Sequence, residues 1–195
     1  IAHGSFDPWL SPNSTQALDL CTGGASLAVL LALAYPQLHI DASDISSQAL
    51  EVAQINIERH GLQDRIHAFA SDGLQHIKGV YDLIVCNPPW LPARASAPIE
   101  RAIYDENSAM LKGFLAGLAQ HLTPKGEGWL ILSDLAEHLG LRSRAELEAW
   151  IAEGGLKVVG KLDTKAAHKK VQDKNDPLHA ARAAEVTSLW RLAVK

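Results

Sequence analysis

The 195 residues, 47% apolar and 21% charged, are enough for one domain with a real core, and a formal charge of -4 argues against broad, sequence-independent binding to nucleic acid. No run of about eighteen apolar residues is present to cross a membrane, and no basic-then-apolar leader opens the chain, so the expected location is cytoplasmic. The first residue is Ile1 rather than Met, which reads as a trimmed N-terminus: a short remnant over 1–15, then a single domain over 16–195.

Strands and helices alternate from there. Residues 17–21 are a short apolar strand that ends in Thr22-Gly23-Gly24. Residues 26–35 are almost wholly apolar, a buried helix stopped before Pro36. A second strand is predicted over 38–42. A second helix follows over 46–60, with Leu50, Ala53 and Ile57 on one face and Gly61 just past its end. Residues 66–70 and 81–86 are the third and fourth strands, the latter running into Asn87-Pro88-Pro89-Trp90. A loop rich in Pro and Ala leads to a helix marked by Met110, Leu111, Phe114, Leu115, Leu118 and Leu122. Thr123-Pro124-Lys125-Gly126 then turns the chain into a fifth strand over 128–133. Ser143 and Glu146 have capping-box spacing and open a helix that turns Leu147, Trp150 and Ile151 inward. Residues 156–162 and 186–194 are the last strands, an antiparallel pair, with a long polar stretch over 163–184 between them. The pattern predicts an α/β fold with a mostly parallel seven-stranded sheet covered by helices on both faces. Ligands bind such sheets at the carboxyl ends of the strands.

Four segments at those ends carry chemistry. In Asp19-Leu20-Cys21-Thr22-Gly23-Gly24-Ala25 the small residues let backbone approach a ligand, and Asp19 can hold the ammonium of a methionine moiety. A plain glycine turn is the competing reading. Asp44 follows the second strand and can accept from both hydroxyls of a ribose; an acid at the start of the next helix is its alternative role, and Asp41 its competitor. Ser71-Asp72-Gly73 follows the third strand, where Asp72 can accept from an adenine amino group or simply shape a turn. Asn87-Pro88-Pro89-Trp90 decides the reading. The Asn87 side-chain oxygen and the Pro88 carbonyl are two acceptors for the N–H groups of a planar nitrogen, the prolines stiffen the turn, and Trp90 can stack on the planar group.

In this order the four segments resemble the Rossmann-like class I methyltransferases that use S-adenosylmethionine. Leu18 to Gly23, Asp44-Ile45-Ser46, and Asp82 to Val85 before Asn87 are similar to the protein-(glutamine-N5) methyltransferases, which modify release factors or a ribosomal protein. The resemblance implies that Asp19, Cys21, Thr22 and Gly23 lie at the methionine part of the cofactor and Asp44 at the ribose. Ile45, Ser71, Asp72 and Gly73 then lie at the adenine, and Asn87 between cofactor and acceptor, with Pro88 and Trp90 beside it. The family's usual Gly-x-Gly-x-Gly is here Cys21, Gly23 and Ala25, its usual tyrosine or phenylalanine is Trp90, and its N-terminal helical domain is absent or reduced to the piece before Ser14.

The expected activity is methylation of an amide or exocyclic amino nitrogen, in protein glutamine or, as the alternative, in an RNA or DNA base. A nicotinamide-dependent oxidoreductase on a similar sheet is the reading from another class; the phosphate-binding glycine spacing it needs is missing. Lys157, Lys161, Lys165, Lys169, Lys170 and Lys174 form either a solvated face or a docking patch for an acidic partner. The nine histidines show no paired ligand spacing, and the two cysteines, Cys21 and Cys86, no CxxC, so neither metal nor disulfide is expected. His168 and His179 read as surface histidines and Asp176-Pro177 as a turn.

Overall fold

The computed structural model of the chain describes residues 10–92, 103–165 and 179–195. Seven strands form one sheet in the order β3-β2-β1-β4-β5-β7-β6. They are β1 (Gln16–Leu20), β2 (His39–Asp44), β3 (Ile66–Ala70), β4 (Tyr81–Cys86), β5 (Leu122–Ser133), β6 (Leu156–Lys165) and β7 (Val186–Val194). Strands β1 to β5 pair in parallel. The last strand inserts between β5 and β6 and runs antiparallel to both. The expected antiparallel pair is present, with β6 and not the final strand at the edge.

Period-two alternation sorts the core onto two faces. Ala17, Leu83 and Val85 point to one side with α1 (Ser26–Ala34) and α2 (Ser47–Arg59), where Leu31, Ala32, Ala53 and Ile57 are buried. Leu18, Leu20, Ile84 and Cys86 point to the other, against Leu111, Phe114 and Leu115 of α3 (Ala109–Gly117) and Leu147 and Ile151 of α5 (Arg144–Glu153). Helix α2 starts where Ser46 accepts from Ala49 N–H, and Ser143 and Glu146 make both bonds of the capping box. Two short helices lie outside the expected pattern, α4 (Leu135–His138) and α6 (His179–Ala184), the latter in what reads as a featureless polar stretch.

Helix α3 ends at Gly117, short of the predicted span, and Leu118–His121 continue as a 3-10 turn. The predicted turn at Thr123-Gly126 lies inside β5, where the pairing with β4 shifts between Tyr81 and Leu83. Gly126 permits this: a Cβ there would come within 2.6 Å of the Tyr81 carbonyl. Asp82, at the amino end of β4, accepts from Thr15 N–H, Gln16 N–H and the Thr123 hydroxyl. It ties three strands together at the end of the sheet away from the carboxyl-end segments.

The described part of the lysine cluster is divided. In β6, Lys157 pairs with Ala193, and Lys161 and Lys165 with Trp190 and Val186. The register shift between Val158 and Gly160 turns the first to the opposite face from the other two. Lys161 contacts Asp163 at 2.7 Å and lies 4.8 Å over the Trp190 ring. Lys169, Lys170, Lys174, His168 and Asp176-Pro177 lie outside the described residues.

Candidate active site

The order of the sheet reverses between β1 and β4, and the carboxyl ends of β1, β2, β3 and β4 carry the four segments singled out by sequence. This is where an open parallel sheet leaves a crevice.

On one side the turn after β1 is built around two carboxylates. Strand β1 ends at Leu20, one residue earlier than expected, because Cys21 has φ 59°. Gly23 (φ 56°) and Ala25 (φ 60°) are also left-handed. The three positions that read as Gly-x-Gly-x-Gly in the similar family are thus the three that need positive φ, and two of them carry side chains. Asp19 is fully buried; its Oδ2 accepts from the Thr22 hydroxyl at 2.6 Å and from Ala28 N–H at 3.0 Å. Burial pushes its carboxyl up to about 6, against the pull of those two donors, and the charge of nearby Asp44 adds to the rise. Its Oδ1 is buried with no hydrogen-bond partner among the described residues. A buried carboxylate oxygen in that condition calls for a cation or donor.

Asp44 closes β2. Its Oδ2 accepts from Gly23 N–H and its Oδ1 from Ser46 N–H, both at 2.9 Å. It therefore braces the first turn while each oxygen keeps a second lone pair. The helix cap is Ser46, so Asp44 is not itself the cap. Asp41 points elsewhere, accepting from the Tyr81 hydroxyl at 2.7 Å with the His67 ring 3.5 Å away. Ile45 is 59% exposed, an apolar side chain standing open beside Asp44. After β3, Ser71 is buried and its hydroxyl donates to Gly73 O and accepts from His76 N–H, so it shapes the turn. Asp72 is exposed and accepts from the Gln75 amide at 3.2 Å. A Cβ placed on Gly23 or Gly73 would meet nothing within 4 Å, so backbone faces open space at both turns. Positive φ, an unpartnered buried carboxylate oxygen and a second carboxylate with spare lone pairs fit a ligand with an ammonium at one end and a diol further along.

On the other side, Asn87 is exposed at the end of β4 and Pro88 buried. The Trp90 indole N–H donates to Asn87 Oδ1 at 3.0 Å, and the ring packs against the core beneath α3. Leu91 N–H donates to Ile103 O and Asp105 N–H to Leu91 O, so the chain returns beside the Asn-Pro-Pro-Trp turn. Buried Asp105 accepts from Met110 N–H and Leu111 N–H at the start of α3. Asn107 and Ser108 both have positive φ, a run of backbone strain next to the turn.

Sequence reasoning missed a buried polar cluster at the end of β5. Arg142 is 4% exposed and donates through Nη2 to Ser133 O at the end of β5, its Nε unpartnered among the described residues. Burial lowers its guanidinium, partly offset by the charges of Glu137 and Asp105. Buried Glu185 accepts from the Ser133 hydroxyl. No periodicity or motif marks Asp105, Arg142 or Glu185; only the fold brings them together. The Cys86 thiol touches that of Cys21, and burial first, then this contact, pushes it well up; both are free thiols at the seam between the two sides. Among the described residues no cluster of three metal-ligating side chains occurs.

The model of the methyltransferase small domain family matches residues 8–149. The chain belongs to this family. That assignment sets aside the nicotinamide alternative. The ribosomal protein uL3 glutamine methyltransferase of Neisseria gonorrhoeae is 40% identical over 131 residues, 61% of this chain and 44% of that protein. The protein of the same name from Burkholderia pseudomallei is 37% identical over 155 residues, 74% and 50% of the two chains. The chain thus spans about half the length of the curated relatives it matches. Among solved structures, a geranyl diphosphate methyltransferase in complex with SAM is 11% identical, covers 100% of this chain and 84% of its own, and has a TM-score of 0.73. The mitomycin 7-O-methyltransferase MmcR is 16% identical over 94% and 50% of the two chains, with a TM-score of 0.67. These likenesses show the Rossmann-like methyltransferase fold alone. Their acceptors differ so much that the acceptor has to be argued from the site.

Proposed function

We propose that this domain transfers a methyl group from S-adenosylmethionine to a planar nitrogen, the side-chain amide of a protein glutamine. The observation that carries this reading is the pairing of the two sides of the crevice. A carboxylate cradle with a buried unpartnered oxygen at Asp19 lies at the end of β1, and an exposed Asn87 carboxamide follows β4, the strand paired beside it.

The bound cofactor supplies an electrophilic methyl group on a sulfonium. The chain binds and orients. Asp19 Oδ1 accepts from the ammonium, with Cys21, Thr22 and Gly23 forming the turn around the methionine part. The spare lone pairs of Asp44 take the ribose diol, and Ile45 covers the adenine, with Asp72 accepting from its amino group beside Ser71 and Gly73. Asn87 Oδ1 and the Pro88 carbonyl accept from the N–H groups of the acceptor and direct its nitrogen lone pair at the methyl group. On transfer to the nitrogen so held, one N–H proton of the acceptor would leave to water and the demethylated cofactor, S-adenosylhomocysteine, would be the other product. Positioning accounts for the rate, and the site needs no strong general base.

A protein acceptor is favoured over a nucleic-acid base by the charge of -4, by the division of the described lysines over two faces, and by the uL3-modifying relatives. Recombinant uL3 from the same genome, incubated with methyl-labelled S-adenosylmethionine, is expected to gain one label on a glutamine-bearing peptide. Label in a whole-cell extract that disappears with nuclease and survives protease would overturn the protein acceptor. Thermal stabilisation by NAD and not by S-adenosylhomocysteine would overturn the whole reading.

A further inference from the structure

The indole of Trp90 touches the reacting end of the site through its N–H, which donates to Asn87 Oδ1 at 3.0 Å. An indole N–H only donates, so the end of the carboxamide that faces it must be the oxygen. Without such a contact an exposed asparagine can present either its oxygen or its NH2 to a ligand. The NH2 end turned to an acceptor's N–H would set donor against donor. Trp90 is itself held: its ring packs against the buried face under α3, and the next residue, Leu91, is bound in both directions to the returning segment at Ile103 and Asp105.

We propose, on the N-methyltransferase reading above, that Trp90 is a positioning residue whose indole N–H locks the Asn87 carboxamide with its oxygen toward the acceptor, which makes the site selective for a primary NH2 group and for a single methylation. The amide oxygen has two lone pairs; the indole occupies one and leaves one for the acceptor. With the Pro88 carbonyl, the site then offers two acceptors, matched to the two N–H groups of a primary amide. After transfer the N-methyl amide keeps one N–H, so one of the two oxygens goes unmatched. The product is held less well than the substrate, and a second transfer lacks the orientation of the first. Phenylalanine at this position supplies no donor, and tyrosine carries its donor at the far end of the ring, so the lock belongs to tryptophan.

The experiment compares the wild-type chain with Trp90→Phe and with site-specific replacement of Trp90 by benzothienylalanine, which has the shape and stacking face of tryptophan but sulfur in place of N–H. Recombinant uL3 is the acceptor probe, and S-adenosylhomocysteine affinity and thermal melting control for cofactor binding and folding. The expected result is a kcat about tenfold lower in both variants, corresponding to the loss of one hydrogen bond of ordinary strength. The KM for uL3 and the affinity for S-adenosylhomocysteine should stay within twofold. A benzothienylalanine protein with wild-type kcat would overturn the lock and leave ring stacking as the role of Trp90. So would a fall confined to cofactor affinity. If wild-type protein does not label uL3, the proposed function is what has failed, and the lock is decided without turnover. Relaxation of the 15N-labelled Asn87 side-chain amide should report an ordered group in the wild type and a mobile one in the variant; equal order in both would overturn the proposal.

Discussion

The two sides of the crevice are built by different means. The side proposed to hold the cofactor is local: Asp19, Thr22, Gly23, Ala28, Asp44 and Ser46 bind one another through backbone amides, a hydroxyl and carboxylates across at most 21 positions of sequence. The acceptor side is assembled from far apart. Leu91, next to the Asn-Pro-Pro-Trp turn, bonds to Asp105, and the nearby end of β5 holds Arg142, between α4 and α5, and Glu185, before β7, with Glu185 bonding to Ser133 across 52 positions. Carboxylate-to-amide bonds leave little freedom, so the first side stands ready before its ligand arrives. The second rests on Arg142, whose Nε has no partner among the described residues, and on left-handed Asn107 and Ser108, the condition of a surface that is completed by what it binds.

The largest expected effect tests whether Asp44 belongs to both frame and ligand. Asp44→Ala should weaken cofactor binding by roughly 2 to 4 kcal/mol, because two charge-assisted bonds to the diol are lost. It also frees Gly23 N–H and Ser46 N–H, so the melting temperature of the free protein should fall as well. Calorimetry with S-adenosylhomocysteine alongside thermal melting separates the two. An unchanged affinity would remove Asp44 from the ligand.

On the acceptor side the signature is reversed. Asn87→Ala should lower kcat on the order of a hundredfold, with cofactor affinity intact, since an acceptor for the substrate N–H disappears from the transition state. Asn87→Asp keeps an oxygen for the Trp90 indole and should retain part of the rate. Near-normal turnover of Asn87→Ala with poor cofactor binding would assign the turn to the cofactor or to the fold. Joint substitution of Lys161 and Lys165 by Glu, which share one face, is expected to change neither parameter at constant salt.

A smaller effect depends on pH. The carboxyl of Asp19 is raised by burial to about 6 in the free protein, above its ordinary value of 3.8. Folding therefore favours its protonated form, and stability from this group is greatest below 3.8 and declines as pH rises through 6. The ammonium of the cofactor needs the ionised form. Binding is then expected to release a proton below pH 6 and to weaken as pH falls, and Asp19→Asn should flatten both trends. Calorimetry in buffers of different ionisation enthalpy measures the proton; no release at pH 5.5 would separate Asp19 from the ammonium.

How much was legible follows the same division. Strands β1 to β4, with their apolar runs and small-residue turns, were readable because each is a local pattern, and with them the positions of Asp19, Asp44 and Asn87 at or near the carboxyl ends of β1, β2 and β4. The left-handed turn at Cys21 was hidden because a cysteine does not announce positive φ, which shortened β1 by a residue. Strand β5 ran through Thr123-Gly126 because Gly126 allows contact with the Tyr81 carbonyl, a tertiary reason invisible in a turn-like tetrapeptide. Asp105, Arg142 and Glu185 carried no signal because their neighbours come from four different segments. The Trp90 indole bond was likewise beyond reach, since the sequence offers a ring and says nothing of where its N–H points.

The smallest effect tests the cofactor turn against itself. Gly23 and Ala25 have nearly the same φ, 56° and 60°, yet their surroundings are opposite. Gly23 faces open space, so Gly23→Ala meets no clash and should cost only the backbone strain of a left-handed alanine, about 1 kcal/mol. Its new methyl group would project into the space left for the ligand, so cofactor affinity should fall by more than stability does. Ala25 is fully buried in the core beside α1. Ala25→Gly relieves similar strain but removes a buried methyl worth about 0.8 kcal/mol, and a glycine there gains more freedom in the unfolded chain. The contributions nearly cancel, and the melting temperature should move by no more than about 2 °C. A large stabilisation by Ala25→Gly would mean that the alanine methyl contributes little to the packing there. A large destabilisation would mean that the left-handed conformation is nearly free at this position, and that burial alone decides which residue the third place of the turn can carry.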